Sequence, residues 1–102
     1  MLKVKVEKNN NSFSKISLIG HADYASYGKD IVCSSASSIM ITTVNAIMMF
    51  DKTYITYEQK KDLFIIKINK NNEIVDKLIK NMLNMFKDLA DDYPENIKIE
   101  EE

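Results

Sequence analysis

Asp30-Ile31-Val32-Cys33-Ser34-Ser35-Ala36-Ser37-Ser38-Ile39-Met40, running on through Ile41-Thr42-Thr43-Val44-Asn45-Ala46-Ile47-Met48-Met49-Phe50, is where the hydrophobic period of the chain changes. Within it Val32, Ala36, Ile39, Thr43, Ala46, Ile47 and Phe50 recur at spacings of three and four, the stripe of a helix packed along one side. Asp30 stands where a cap belongs, since a carboxylate there accepts first-turn N–H groups that have no partner inside the helix. Upstream the period is two. Leu2, Val4 and Val6 alternate with Lys3, Lys5 and Glu7, the pattern of a half-buried strand. Residues 13–19 read as a second strand, hairpinned to the first through Asn9-Asn10-Asn11-Ser12, because Asn tolerates left-handed backbone angles. Ile16 and Leu18 are expected on one face of that strand, Phe13 and Ile19 on the other.

Downstream the same two periods alternate again. Residues 54–57 are β-branched and aromatic, as in a strand. Residues 58–62 read as a polar turn into a strand at 63–68, and 69–72 as a turn that ends in a helix cap. Ile74, Leu78, Met82, Met85, Phe86 and Leu89 then mark a second amphipathic helix ending before Pro94, and Ile97 and Ile99 alternate with Lys98 and Glu100 in a short last strand. The expected fold is α/β (α+β), order β-β-α-β-β-α-β, a sheet of about five strands packed with two amphipathic helices. A single compact domain spans 1–102.

Composition narrows the function. The 102 residues are 45% hydrophobic and 28% charged, which suits one globular domain. Fourteen basic residues, all Lys, against 15 acidic ones give a net charge of −1, arguing against a general nucleic-acid-binding surface. One Cys excludes an internal disulfide framework, and one Cys with one His cannot fill a four-ligand zinc site within the chain. The N-terminus MLKVKVEK lacks the apolar run of a signal peptide, and the apolar stretch at 39–50 is short for a membrane span and interrupted by Thr and Asn. A soluble protein of a reducing compartment is expected. Five Met residues on the helices (Met40, Met48, Met49, Met82 and Met85) suit core packing or a homodimer interface.

Both glycines, the only His and the only Cys fall within residues 20–33. His21 leaves a strand, Cys33 lies in the first turn of a helix, and a glycine stands at each end of the loop between them. A helix start favours a thiolate and offers N–H groups to an oxyanion. Asp30 works against the thiolate by its charge, while Ser37, one turn after Cys33, is within reach of the sulfur or of His21. By residue type alone a lone Cys at a helix start is more often a small buried hydrophobe, and a lone His at a strand end a surface residue. Gly20 and Gly28 read as loop hinges; Tyr24 and Tyr27 read equally as ligand contacts or loop supports.

The block Gly20-His21-Ala22, Ala25, Gly28, Asp30-Ile31-Val32-Cys33, followed by Ser37, resembles the ribosomal-processing cysteine protease family, Prp, and the length and element order match as well. Ser34-Ser35 departs from it, where mainly Ala is expected. The resemblance implies a compact, cytoplasmic, homodimeric thiol endopeptidase that removes a short N-terminal extension from ribosomal protein 27 of the large subunit, after an aromatic residue. It implies Cys33 as nucleophile and His21 as general base and acid, with Ser37 or Asp30 in support. The substrate loop it implies comprises Gly20, Ala22, Asp23, Tyr24, Ala25, Tyr27 and Gly28. No cofactor, no metal, and neither nucleic acid nor membrane as a direct partner is expected. The alternative is a non-catalytic, homodimeric ribosome-associated binding module with Cys33 buried and His21 structural. The acidic run Asp88, Asp91, Asp92, Glu95, Glu100, Glu101 and Glu102 is a solvated end or an attractor for a basic substrate.

Overall fold

A computed structural model describes residues 1–101; Glu102, the last of the acidic run, lies outside the described residues. The elements are β1 (Leu2–Asn9), β2 (Ser12–Ile19), α1 (Ile31–Phe50), β3 (Ile55–Lys60), β4 (Leu63–Ile68), α2 (Glu73–Asp92) and β5 (Ile97–Glu101). The strands form one sheet in the order β3-β4-β2-β1-β5, antiparallel except where β5 runs parallel to β1. Leu2, Val4, Val6, Ile16, Leu18, Phe64 and Ile66 point to one face and are buried with the inner stripes of both helices. Burying such a side chain contributes roughly 1.5–3 kcal/mol, most of it offset by chain entropy.

The β1–β2 hairpin turns on Asn10 and Asn11, both with positive φ (53° and 65°), as the polar Asn run predicts. One expectation fails nearby. Glu7 pairs with Lys15 but Lys8 pairs with Phe13, so Ser14 is an extra residue, and this bulge reverses the alternation beyond it. Phe13 therefore joins Val6 and Ile16 on the helix-covered face instead of opposing them. The expected turn at 58–62 shrinks to Lys61-Asp62, with Asp62 at φ 61°. Glu58, Gln59 and Lys60 continue β3, and Tyr54 precedes it. An edge strand hydrogen-bonded on one side only tolerates, and is protected by, polar residues that read as a turn.

The helices are rotated relative to their predicted stripes. In α1 the buried residues are Val32, Ala36, Met40, Thr43, Val44 and Ile47, while Phe50 ends the helix 61% exposed. In α2 they are Val75, Ile79, Met82, Leu83 and Phe86, leaving Ile74 and Met85 exposed. Both helices contain more apolar positions than one face can bury, so spacing alone admitted a neighbouring stripe. Taken whole, α1 is long and apolar enough to cross a membrane by length and composition, unlike the 39–50 stretch considered alone. Here it is a core helix, packed against α2, β3 and β4.

Candidate active site

The site forms where β2 ends and α1 begins. Gly20 turns the chain at φ 95°, and a Cβ there would lie 2.8 Å from the Met1 carbonyl oxygen, so only glycine fits. Asp30 then organises the loop from its far end. One carboxylate oxygen accepts the Val32 and Cys33 N–H groups at 3.0 Å, capping α1. The other accepts the Tyr24 and Ala25 N–H groups at 3.0 and 3.2 Å. Asp30 is 3% exposed. Burial alone would push its carboxyl up, but the N–H groups of Cys33, Ala25, Tyr24 and Val32 hold it below the ordinary carboxylate value.

This double capping brings strand exit and helix start together. One His21 ring nitrogen, one Asp30 oxygen and Cys33 Sγ lie within 4.8 Å of one another. The Ala22 N–H donates to Cys33 Sγ at 3.2 Å, and the Ala22 carbonyl accepts from Asn96 Nδ2 at 3.0 Å. His21 Nδ1 accepts the Asp23 N–H at 3.0 Å, and lies 3.2 Å from Asp23 Oδ1 and 3.7 Å from Asp30 Oδ2. Nε2 has no hydrogen-bond partner among the described residues. A protonated ring would meet two carboxylates at Nδ1. Burial raises the Cys33 thiol above its ordinary value; the Ala22 N–H opposes this and the Asp30 charge adds to it. Burial and the Asp30 charge favour the thiol over the thiolate, so attack by the sulfur calls for a base to take its proton.

The remaining predicted residues separate into two groups. Tyr27 lies over the imidazole, ring centroids 4.3 Å apart, and donates its hydroxyl to Asp62 on the β3–β4 turn. That bond and burial push the Tyr27 hydroxyl up to about 12, and Lys61 Nζ sits 4.7 Å from the ring centre. Ser37 shares with Cys33 the wall of a cavity of about 160 Å³, lined further by Gly20, His21, Tyr27, the β3–β4 turn and the apolar Leu18 and Phe64. Tyr24 instead packs edge-on against Tyr93, 5.4 Å away, as a loop support. Gly28 adopts φ 80° with open space around its Cα, and Asp23, at φ 58°, also pairs with the N-terminal amino group at 3.1 Å.

Two further points emerge only in three dimensions. The Val32 and Cys33 N–H groups, expected to be available to an oxyanion, are occupied by Asp30, and the Ser34 N–H by the Asp30 carbonyl. The N–H aimed at the sulfur is that of Ala22, from the strand side. Asp62, Lys61 and Asn96 join the site through tertiary contacts, with no local motif to announce them. His21, Asp30 and Cys33 also offer metal-ligating atoms, but Asp30 already accepts four N–H groups and has little capacity left for an ion.

A half-buried thiol at a helix start, a histidine beside it, and a cavity that both line are the parts of a thiol hydrolase. Residues 1–98 match the model of the family described as cysteine protease Prp. The chain belongs to that family. It is 30% identical, over 97% of both chains, to the ribosomal processing cysteine protease Prp of Staphylococcus aureus. Two crystal structures of the essential S. aureus ribosomal processing protease Prp share its fold over the full length of both chains. One, with a covalently linked product peptide, aligns at TM-score 0.91 and 27% identity, the other, with a substrate peptide, at 0.86 and 26%. Membership of the Prp family makes this chain a cysteine protease.

Proposed function

We propose that Cys33 is the nucleophile and His21 the general base and acid of an endopeptidase, a single domain over 1–102, that trims the N-terminal extension of large-subunit ribosomal protein 27 after an aromatic residue. The observation that carries this reading is the grouping of Cys33 Sγ and a His21 nitrogen within 4.8 Å at the wall of one cavity. His21 takes the thiol proton and the thiolate attacks the scissile carbonyl, giving a tetrahedral oxyanion. The imidazolium is stabilised by Asp23 and Asp30 at Nδ1 and then protonates the leaving amine; water releases the acyl group from sulfur. The Ala22 N–H, already on the reacting sulfur, is the backbone donor nearest the developing charge. Asp30 is a positioning residue that holds the loop to the helix, and Ser37 lines the wall beside the thiol.

The substrate assignment draws on the names of the S. aureus relatives, which process ribosomal protein, and on the apolar part of the cavity lining, which suits an aromatic side chain. A cytoplasmic location follows from such a substrate. A homodimer is favoured by α1, which has no charged residue in 20 positions and leaves Met49 89% exposed beside Phe50. The test is incubation with the precursor of ribosomal protein 27 from the same source, reading the product N-terminus by mass. Cleavage after an aromatic residue, lost in Cys33→Ala, supports the assignment; equal processing by Cys33→Ala refutes it. Sedimentation of wild type against Met49→Lys reports the oligomeric state.

A further inference from the structure

The sheet face opposite the helices carries an unbalanced charge. Strand register places Lys3, Lys5, Lys15, Lys60, Lys67 and Lys98 on it, against Glu7, Glu58 and Glu100. Glu58 is engaged by Lys60 and Glu100 by Lys98, each at 2.9 Å. Two cross-strand neighbours are like-charged: Lys15 stands opposite Lys67, and Lys3 beside Lys98. Such pairs cost stability, and the fold has no need of them on a solvent-facing surface. Between them Ser17 is buried at the centre beside Ile65, and the apolar side chains of Ile19 and Leu63 stand at one end. The chain's net charge of −1 conceals this face, because the acidic residues gather at the end of α2 (Asp88, Asp91, Asp92) and at Glu95.

We propose that this open sheet face binds the phosphate backbone of duplex nucleic acid. Lysines on neighbouring strands and at alternate positions stand about 5–7 Å apart, so the face offers several cations to adjoining phosphates at once. It carries no Phe, Tyr or Trp, and therefore lacks the stacking platform with which sheets hold single-stranded bases. Tyr57 and Phe64 lie on the other face. A second copy of the chain fits poorly here, since sheet against sheet would set lysines against lysines. The expectation of no nucleic-acid partner rested on net charge, which averages over the basic face and the acidic helix end.

The experiment is fluorescence anisotropy of the full chain with labelled duplex RNA, duplex DNA and single-stranded RNA, across 50–200 mM salt. Binding to a duplex that weakens by roughly 40–150-fold over that range is expected from the release of three or four counterions. The double variant Lys15→Gln/Lys67→Gln, which removes the Lys15–Lys67 repulsion together with the attractions of Lys15 to Glu7 and of Lys67 to Glu58, should weaken it by at least about tenfold while leaving peptide cleavage intact. Lys77→Gln/Lys80→Gln on α2 removes the same charge elsewhere and should change little. RNA against DNA preference then reports which duplex is bound. No duplex binding at 50 mM salt, equal binding by the Lys15/Lys67 variant, or a change in that variant confined to the oligomeric state would overturn the proposal.

Discussion

Asp30 and Asn72 both cap 20-residue helices, yet Asn72 accepts one N–H, that of Val75, while Asp30 accepts four. Around Asn72 everything is local. α2 has Glu73 and Asp76 in its first turn, i,i+4 pairs from these to Lys77 and Lys80, and an apolar stripe facing the core. It resembles a helix that could be lifted onto another fold. Around Asp30 the bonds cross from helix to loop, and α1 has no charged side chain with which to make a surface pair. A cap with one N–H holds a helix; a cap with four holds the loop to the helix, and with it His21 to Cys33.

The largest effect that separates the two ends is on turnover. Cys33→Ala and His21→Ala should each lower peptide cleavage by at least about 1,000-fold, because nucleophile and base act as a unit. Their unfolding midpoints in urea should stay near wild type, while Asn72→Ala should leave turnover unchanged. A Cys33→Ala protein that keeps a tenth of the activity would remove the thiol from the mechanism.

Much of this contrast was legible in the chain, for a physical reason. Periods of two and 3.6, the Asn turns and the acidic cap at Asp30 are local signals, and they place the strands and both helices. The family resemblance of the 20–33 block supplied the chemistry that spacing left open. What the chain did not disclose is non-local. The bulge at Ser14 depends on β1–β2 register, and the polar β3 on its being an edge. The second pair of N–H groups on Asp30, those of Tyr24 and Ala25, depends on how the loop folds around that carboxylate. Asp62, over 30 residues from Tyr27, has no pattern that could connect them.

The next effect is on stability. Asp30→Ala leaves the N–H groups of Val32, Cys33, Tyr24 and Ala25 without an acceptor in a buried place and should cost about 2–3 kcal/mol. Asn72→Ala should cost about 1 kcal/mol. Activity should follow the asymmetry: reduced in Asp30→Ala at temperatures where it is still folded, unchanged in Asn72→Ala. Equal losses of stability in the two variants would mean that the loop contacts of Asp30 contribute nothing beyond an ordinary cap.

Protonation probes the same cap more gently. The folded Asp30 carboxyl lies below its ordinary value of 3.8, so its contribution is present above about pH 4 and fades as pH falls through the folded value. The stability gap between wild type and Asp30→Asn should therefore be widest near neutrality and shrink in acid, followed by urea unfolding at each pH. The same variant removes a negative charge that raises the Cys33 thiol. Its alkylation by iodoacetamide should shift toward lower pH than in wild type. A gap that widens in acid would reverse the assigned sign.

The smallest effect comes from giving α2 the cap of α1. Asn72→Asp places a carboxylate at a helix N-terminus, which the dipole favours, but into a first turn that already holds Glu73 and Asp76. With one N–H to accept and two like charges nearby, the gains and losses should nearly cancel, for a net change under about 0.5 kcal/mol. If Asn72→Asp instead stabilised the fold by more than about 1 kcal/mol, capping charge alone would account for much of what Asp30 does. A near-zero result locates the difference between the caps in the loop that Asp30 holds, since only there does a carboxylate find N–H donors from both sides.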